Sequence, residues 1–365
     1  MGLNEKFFKS AAGGITPSEN FNTVLYTGNG GTQSITGVGF QPDFSWIKAR
    51  SVGYSSAIYD AVRGATYRLV SNTTDASTSP TTNGLTAFNS NGFTLGGGNT
   101  SSNGSGTTYV AWNWKAAGFN NDFNVLENGT VTTSSSAATA GITAGSDTVG
   151  SGLDVWEVSA NRDAGFSIVN YKNTSGDGAV NVGHGLNQEP DMIIQKSTNS
   201  SNIPWVVYHK DVGTGKYLSL NSTSSTSTST GVMSLVNSTS FSSNWSNTSY
   251  EFVNYCFHSV DGYQKVGSYV GTGVNAGNFV TTDFEPRFLL VKGSDNSDNW
   301  IIVDAARNTS NPRNIKLSPN NADQEATEAG VSFEFSSTGF KSIGDGAGEG
   351  QANKVNITYI YLAIA

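Results

Sequence analysis

GVGFQPDFSWIKAR, residues 37–50, decides how this chain reads. A Gly-rich approach leads to a polar turn at Gln41-Pro42-Asp43, then to Phe44-Ser45-Trp46-Ile47-Lys48. Proline fixes φ and has no N–H to give to a ladder, so Pro42 belongs just before a strand or at its first residue. Related text stands at 185–196, GLNQEPDMIIQK, and at 283–292, DFEPRFLLVK. Aligned on Pro42, Pro190 and Pro286, the first and third strand positions are Phe44/Trp46, Met192/Ile194 and Phe288/Leu290, apolar in every copy. The second and fourth are mixed: Ser45/Ile47, Ile193/Gln195 and Leu289/Val291. Alternate residues of a strand face opposite sides. One face is therefore expected to pack a core in all copies while the other varies, with Trp46 as core filler. Lys48, Lys196 and Lys292 end the three strands and are expected at their solvated ends.

The repeat extends in both directions. Before these strands stand Val24-Leu25-Tyr26, Ile168-Val169-Asn170-Tyr171 and Val266-Gly267-Ser268-Tyr269. Each unit closes with an aromatic strand: Tyr109-Val110-Ala111-Trp112-Asn113-Trp114, Phe252-Val253-Asn254-Tyr255-Cys256-Phe257 and Tyr359-Ile360-Tyr361-Leu362-Ala363-Ile364. Tyr171 to Tyr269 is 98 residues and Tyr26 to Tyr171 is 145; the excess of 47 marks an insertion at about 119–164. The spacing divides the chain into an N-terminal arm, 1–20, and β-modules at 21–118, 165–265 and 266–365. Residues 119–164 form a linker with short strands. Each module is long enough to bury a core of its own. Short strands separated by Gly, Asn and Ser turns predict an all-β fold of tandem β-sandwich or jelly-roll-like modules.

Composition agrees. Charged residues are 13%, aromatics 11%, and 43 glycines accompany dense Ser, Thr and Asn over 365 residues, too apolar and aromatic for a disordered chain. The net charge of −8 is spread out and no basic cluster marks a nucleic-acid partner. Cys256 is the single cysteine, so no intrachain disulfide forms, and its strand-like setting suits a buried small hydrophobe. Met1 to Gly14 has no apolar signal region, and no apolar run is long enough for a spanning helix, so membrane insertion is not expected. Asn4 to Ala12 could form two or three helical turns with Phe7, Phe8 and Ala11 on one side. So short a helix is marginal alone, so this segment either frays or docks on a partner.

The text Lys6-Phe7-Phe8-Lys9-Ser10-Ala11, GFQPDFSWIK, Asp60-Ala61-Val62-Arg63-Gly64, Leu69 to Ala76 and Tyr109 to Lys115 resembles a module of tailed-bacteriophage virion structural and tail-fibre proteins, marine and cyanophage types especially. The resemblance spans the chain and is sharpest over 21–118. It implies a non-enzymatic virion component assembled in the host cytoplasm. In that setting Phe7, Phe8 and Ala11 would anchor the chain to other virion proteins. It further implies a homo-oligomer, a trimer by preference, and contact with a host-surface glycan. A head decoration or head-fibre protein, or a virion-associated glycan depolymerase, are the alternatives. It carries no catalytic, metal or cofactor site.

The residues themselves agree on that last point. His184, His209 and His258 lack paired-ligand spacing. No nucleophile elbow or phosphate loop is present. Glu251 and Glu334 lie in strand-like text and read as outward polar positions; a glycosidase would need two carboxylates facing one cleft. Trp156 and Trp245 stand outside the repeated strands and are the candidate glycan contacts.

Overall fold

The computed structural model describes residues 15–78, 82–117, 153–173, 180–229, 231–245, 249–274, 277–328, 330–344 and 352–365. Pro42, Pro190 and Pro286 are buried, and each stands two residues before a strand. The intervening residue pins the lead-in from both sides. The amides of Asp43, Asp191 and Arg287 donate to the carbonyls of Trp114, Phe257 and Ile364, and their own carbonyls accept from Ala61, Lys210 and Ala305. Proline is tolerated here because its missing donor falls outside the ladder.

Unit 1 contains β1 (Phe21–Thr27), β2 (Gln33–Thr36), β3 (Phe44–Ala49), β4 (Ala57–Asp60), β5 (Gly84–Asn89), β6 (Gly92–Gly96) and β7 (Thr108–Trp114). A long strand, β8 (Leu153–Asn161), precedes unit 2, which holds β9 (Phe166–Asn173), β10 (Val180–Gly183), β11 (Met192–Ser197), β12 (Val206–His209), β13 (Lys216–Ser219), β14 (Ser227–Thr228), β15 (Val232–Val236), β16 (Ser240–Ser243) and β17 (Glu251–Phe257). Unit 3 holds β18 (Gln264–Val270), β19 (Asn278–Thr281), β20 (Phe288–Gly293), β21 (Ile301–Asp304), β22 (Ile315–Lys316), β23 (Ala326–Thr327), β24 (Ser332–Ser336), β25 (Gly339–Ile343) and β26 (Thr358–Ile364). The topology repeats. The larger sheets run β1-β7-β3-β4 and β18-β26-β20-β21, and in unit 2 the same row, β9-β17-β11-β12, is widened to seven strands by β8, β13 and β14. A three-stranded sheet accompanies each: β2-β6-β5, β10-β16-β15 and β19-β25-β24. All these pairings are antiparallel, so the fold is all-β.

Both faces of the central strands of each large sheet are buried, for different reasons. The even face packs under the small sheet of its own unit: Ile47 with Leu85 and Phe93 in unit 1, Ile193 with Phe241 in unit 2, Leu289 and Val291 with Phe333 and Phe340 in unit 3. The odd face packs against the other two units. Phe44, Trp46, Trp112, Trp114, Phe166, Ile194, Tyr255, Phe257, Phe288, Leu290 and Leu362 belong to one continuous core. The expectation of a separate core in each module is thus incomplete: each unit has one and shares a second. Mixed polarity at positions two and four reflects the smaller private cores, where Ser45 bonds Asn113 Oδ1 at 2.7 Å and Gln195 bonds Asn254 Oδ1 at 2.8 Å.

The units close on one another in a ring. The amide of Ser77 donates to the carbonyl of Thr198, that of Thr226 to Ser294, and that of Glu325 to Arg50, at 2.7, 2.8 and 2.9 Å. Thr198, Ser294 and Arg50 stand at the same place in the three copies, two residues past the strand lysine. Unit 1 therefore reaches unit 2, unit 2 reaches unit 3, and unit 3 returns to unit 1. Trp205 and Trp300 reinforce two junctions, their Nε1 groups donating to the carbonyls of Val70 and Ser219 in the preceding unit.

The three lysines differ from expectation. Lys48, Lys196 and Lys292 are buried. Each lies one alternate step past a core residue, where loops cover the strand end. Nζ donates to Tyr54 O and Asn321 O from Lys48, to Ser197 O and Ser200 O from Lys196, and to Gly293 O and Asn296 O from Lys292. Burial lowers all three pKa values to about 8. These lysines tie down the loops at the junctions.

Candidate functional site

The repeated turn after β4 and β21 places an Asp-x-x-Arg pair at two of the three junctions. In unit 3, Asp304 accepts from the Arg307 amide (2.8 Å) and Nε (2.5 Å), closing a tight cradle around the guanidinium. Arg307 Nη1 reaches Glu325 Oε2 at 3.3 Å and Nη2 donates to Ile302 O at 3.0 Å, so each guanidinium nitrogen has a partner. Glu325 also holds Arg50 of unit 1 in a two-pronged pair at 2.8 and 3.0 Å. That bond holds the Arg50 pKa above its ordinary value. Asp304 accepts from Trp112 Nε1 at 3.1 Å, and Arg307 stands 5.6 Å over the Trp112 ring. Charge is balanced across this junction: two arginines, one aspartate, one glutamate.

Unit 1 builds the same cradle with different surroundings. Asp60 accepts from the Arg63 amide (2.8 Å) and Nε (2.6 Å), and from the Tyr255 hydroxyl of unit 2 at 2.7 Å. Burial works against the guanidinium charge, but Asp60 and Tyr255 outweigh it and its pKa stays above the ordinary value. Ser77 occupies the place of Glu325, and Thr198 the place of Arg50. Arg63 Nη1 meets only the Ser77 hydroxyl, at 3.1 Å. Nη2 is closed off from solvent without a partner of ordinary geometry, and the Tyr255 hydroxyl beside the guanidinium supports the charge of a side chain that is only 5% exposed. Two hydroxyls standing where an ion pair fills unit 3 leave a pocket of about 510 Å³, lined by Val62, Arg63, Tyr67, Ser77, Thr78, Glu157, Asn170, Thr198 and Glu251.

The unit 2 wall of this pocket follows from register. Glu157 on β8 pairs with Asn170 on β9, and Glu251 at the start of β17 pairs with Lys172. Alternation puts Asn170 and Lys172 on the same face as the core residue Ile168. The pocket is the polar continuation of the core-facing stripe beyond the last apolar side chain. Asn170 Nδ2 donates to Glu157 Oε2 at 2.9 Å. With two strand spacings and two residues of offset, the Glu157 and Glu251 Cα atoms stand roughly 12 Å apart.

The sequence candidates fall elsewhere. Phe7, Phe8 and Ala11 lie outside the described residues. Trp156 sits in β8 opposite Tyr171, and its side chain lies outside the described residues. Trp245 is spent on the fold: it stacks on Phe252 at 5.6 Å and its Nε1 donates to Gln195 Oε1 at 2.8 Å. Glu251 lines the pocket, whereas Glu334 pairs with Lys341 across β24 and β25. Arg63 and Glu157 were not candidates. The signal that could have found them is the comparison of copies: Asp-x-x-Arg stands in units 1 and 3, but Glu325 has no acidic counterpart at Ser77. Cys256 is buried, and burial pushes its thiol up to about 12. Among the described residues no group of three or more His, Cys, Asp or Glu could hold a metal ion, and no helix is long and apolar enough to cross a membrane.

His184 and His209 are buried neutral bases. Their Nδ1 atoms accept from the amides of Leu186 and Asp211, which leaves no room for a second ring proton there. Burial lowers both pKa values to about 4. The unfolded chain then takes up protons near pH 6.5 that the folded chain refuses, so stability falls as pH drops from about 6.5 toward 4. The loss should reach about 3 kcal/mol per histidine. Denaturant midpoints measured between neutral and acid pH should show it, and His209→Asn should flatten the slope. An unchanged slope in that variant would rule out His209 as a source.

The fold and its junctions define an all-β protein of three internal repeats closed into a ring of threefold character. The chain belongs to the family described as a domain of unknown function, DUF7483, which matches residues 16–155 and again 139–365. No curated protein and no solved structure matches it.

Proposed function

We propose that this protein is a non-enzymatic component of a tailed-phage particle, a tail-fibre or appendage protein that contacts the host surface and is anchored through its N-terminal residues. The module resemblance over 21–118 supports the particle setting. The observation that carries the binding role is the pocket between units 1 and 2. It is walled by strands and loops of both units and lined by several hydrogen-bonding side chains. Repeated contact by many copies makes weak pockets effective through local concentration. Antibodies against the purified protein should label particles of the phage that encodes it, and the free protein should compete with adsorption. Labelling without competition points to a head or decoration role; absence from purified particles overturns the proposal.

A second reading, a glycan depolymerase, is supported by the two carboxylates, Glu157 and Glu251, that line one pocket. Release of reducing ends from host polysaccharide would establish that reading and displace the first.

A further inference from the structure

We propose that the pocket between units 3 and 1 receives an extended segment of a partner protein, which adds a strand to the free edge of β1. This site is separate from the pocket between units 1 and 2. Three equivalent places in the fold lead to it. At the junction of units 1 and 2, β8 covers the edge of β9: Ser159 and Asn161 pair with Ile168 and Phe166. Ala116 and Ala117 run alongside, the first amide donating to Asp43 Oδ2 at 2.8 Å and the second to Ser159 Oγ at 3.1 Å. At the junction of units 2 and 3, Ser259 and Val260 cover the start of β18. Val260 exchanges both backbone bonds with Gln264, and Ser259 Oγ accepts from the Val266 amide. The Ser259 amide donates to Asp191 Oδ2 at 2.7 Å. At the junction of units 3 and 1, no described strand covers the outer edge of β1. A pocket of about 650 Å³ stands there, lined by Phe21, Asn22 and Thr23 of β1 and by Pro286, Arg287 and Ala305 of unit 3.

Register decides which groups face this slot. The Lys115 amide donates to Asn20 O, so the even-numbered residues of β1 bond to β7 and the odd-numbered ones turn their amides and carbonyls away from it. Thr23 and Leu25 are therefore edge residues. The Thr23 amide is held at 2.9 Å by the adjacent Asn22 side chain, a contact within the strand that a partner carbonyl can replace. Leu25 is 41% exposed, an apolar side chain at the place where Asn170 of β9 pairs with Glu157 of β8. The chain does not cover this edge in the way that β8 does. Thr16 stands where Asn161 stands in unit 2, but its carbonyl accepts from the Glu19 amide and Asn20 Nδ2, and Ile15 packs on the shared core. An uncovered strand edge is a template for another chain.

The two filled places define the occupant. Both hold extended backbone with small side chains, Ser159-Ala160 beside Ala116-Ala117 in one and Ser259 in the other. In both, an aspartate accepts an amide of the filling segment. Arg287 takes that aspartate's place here, exposed and without an ion pair among the described residues. The partner segment therefore turns a carbonyl toward unit 3. It carries Gly, Ala or Ser where it enters the pocket and an apolar residue beside Leu25.

The test uses the purified full chain and a synthetic peptide of residues 157–163 carrying Glu157→Leu, read by calorimetry and amide hydrogen exchange. Its Kd should be on the order of 1 mM, as for a short peptide that must be ordered on binding. At ten times that concentration, exchange of the segment holding Thr23 and Leu25 should slow roughly tenfold, because about one molecule in eleven is then free. Thr23→Pro removes the edge amide at a position where a strand tolerates proline, and should abolish binding. Arg287→Ala, at an exposed side chain, should weaken it about threefold. Circular dichroism and the thermal midpoint verify that both variants keep the fold. No slowing, slowing confined to other strands, or unchanged binding in either folded variant overturns the assignment. An edge that is already protected and opens when residues 1–14 are deleted gives the slot to the chain's own arm. Self-association abolished by Thr23→Pro gives it to a second copy. Either result also overturns the partner assignment.

Discussion

Glu325→Gln is expected to destabilise the protein by about 3 kcal/mol, the low end for breaking a buried ion pair because its side chain is 17% exposed. Glu325 serves two guanidiniums from two units, Arg50 and Arg307. The Arg307 side chain is fully buried and would keep Asp304 but lose its second counter-charge. Arg50 would lose one prong of its pair and the charge behind both. Neutral glutamine offers one acceptor oxygen and turns a donor toward one of the arginines. Ser77→Ala, at the equivalent place in unit 1, removes one hydroxyl contact and should cost about 1 kcal/mol. Urea denaturation of the two variants gives the comparison. Equal, small losses would mean that the ion network adds nothing to ring closure.

Trp114→Ala is expected to cost about 4–5 kcal/mol, the upper range for a large aromatic truncated in a core. The ring of Trp114 lies 4.7 Å from Phe21, 5.1 Å from Phe44, 5.5 Å from Phe288 and 6.4 Å from both Phe166 and Phe257. Those neighbours come from all three units, so the cavity weakens every junction at once. Trp114→Phe should cost far less than its volume suggests. It deletes a buried Nε1–H that has no partner, and so recovers part of the packing loss. Calorimetry on both variants tests this. A loss for Trp114→Ala below about 2 kcal/mol would mean that the shared core collapses around the void.

Much of the strand content was legible because the prolines and aromatic strands recur with period-2 text. The division of buried faces was not. A strand buried on both sides loses the alternation that marks a wet face, so Ser45 and Gln195 showed only that the second face varies between copies. They are instead partnered polar groups inside a small core. The lysines misled for a related reason: a long side chain ending a strand is solvated in one isolated module and covered once neighbouring loops close over it. The pocket was illegible because its walls come from residues 62–78, 157–170, 198 and 251, joined only by sheet register and by the packing of two units.

The ring closes through contacts that are not self-complementary. Each unit offers a loop on one side and a strand end on the other, and three copies satisfy one another within a single chain. Such head-to-tail joints have an arithmetic of their own. A chain trimmed to one unit carries one loop and one strand end, and three such chains can rebuild the ring. A chain trimmed to two units cannot complete a ring of three with whole copies of itself; it must exchange units between chains or grow without limit. Unit number in this protein is therefore an assembly instruction, and loss or gain of a single repeat would turn a closed ring into a polymer.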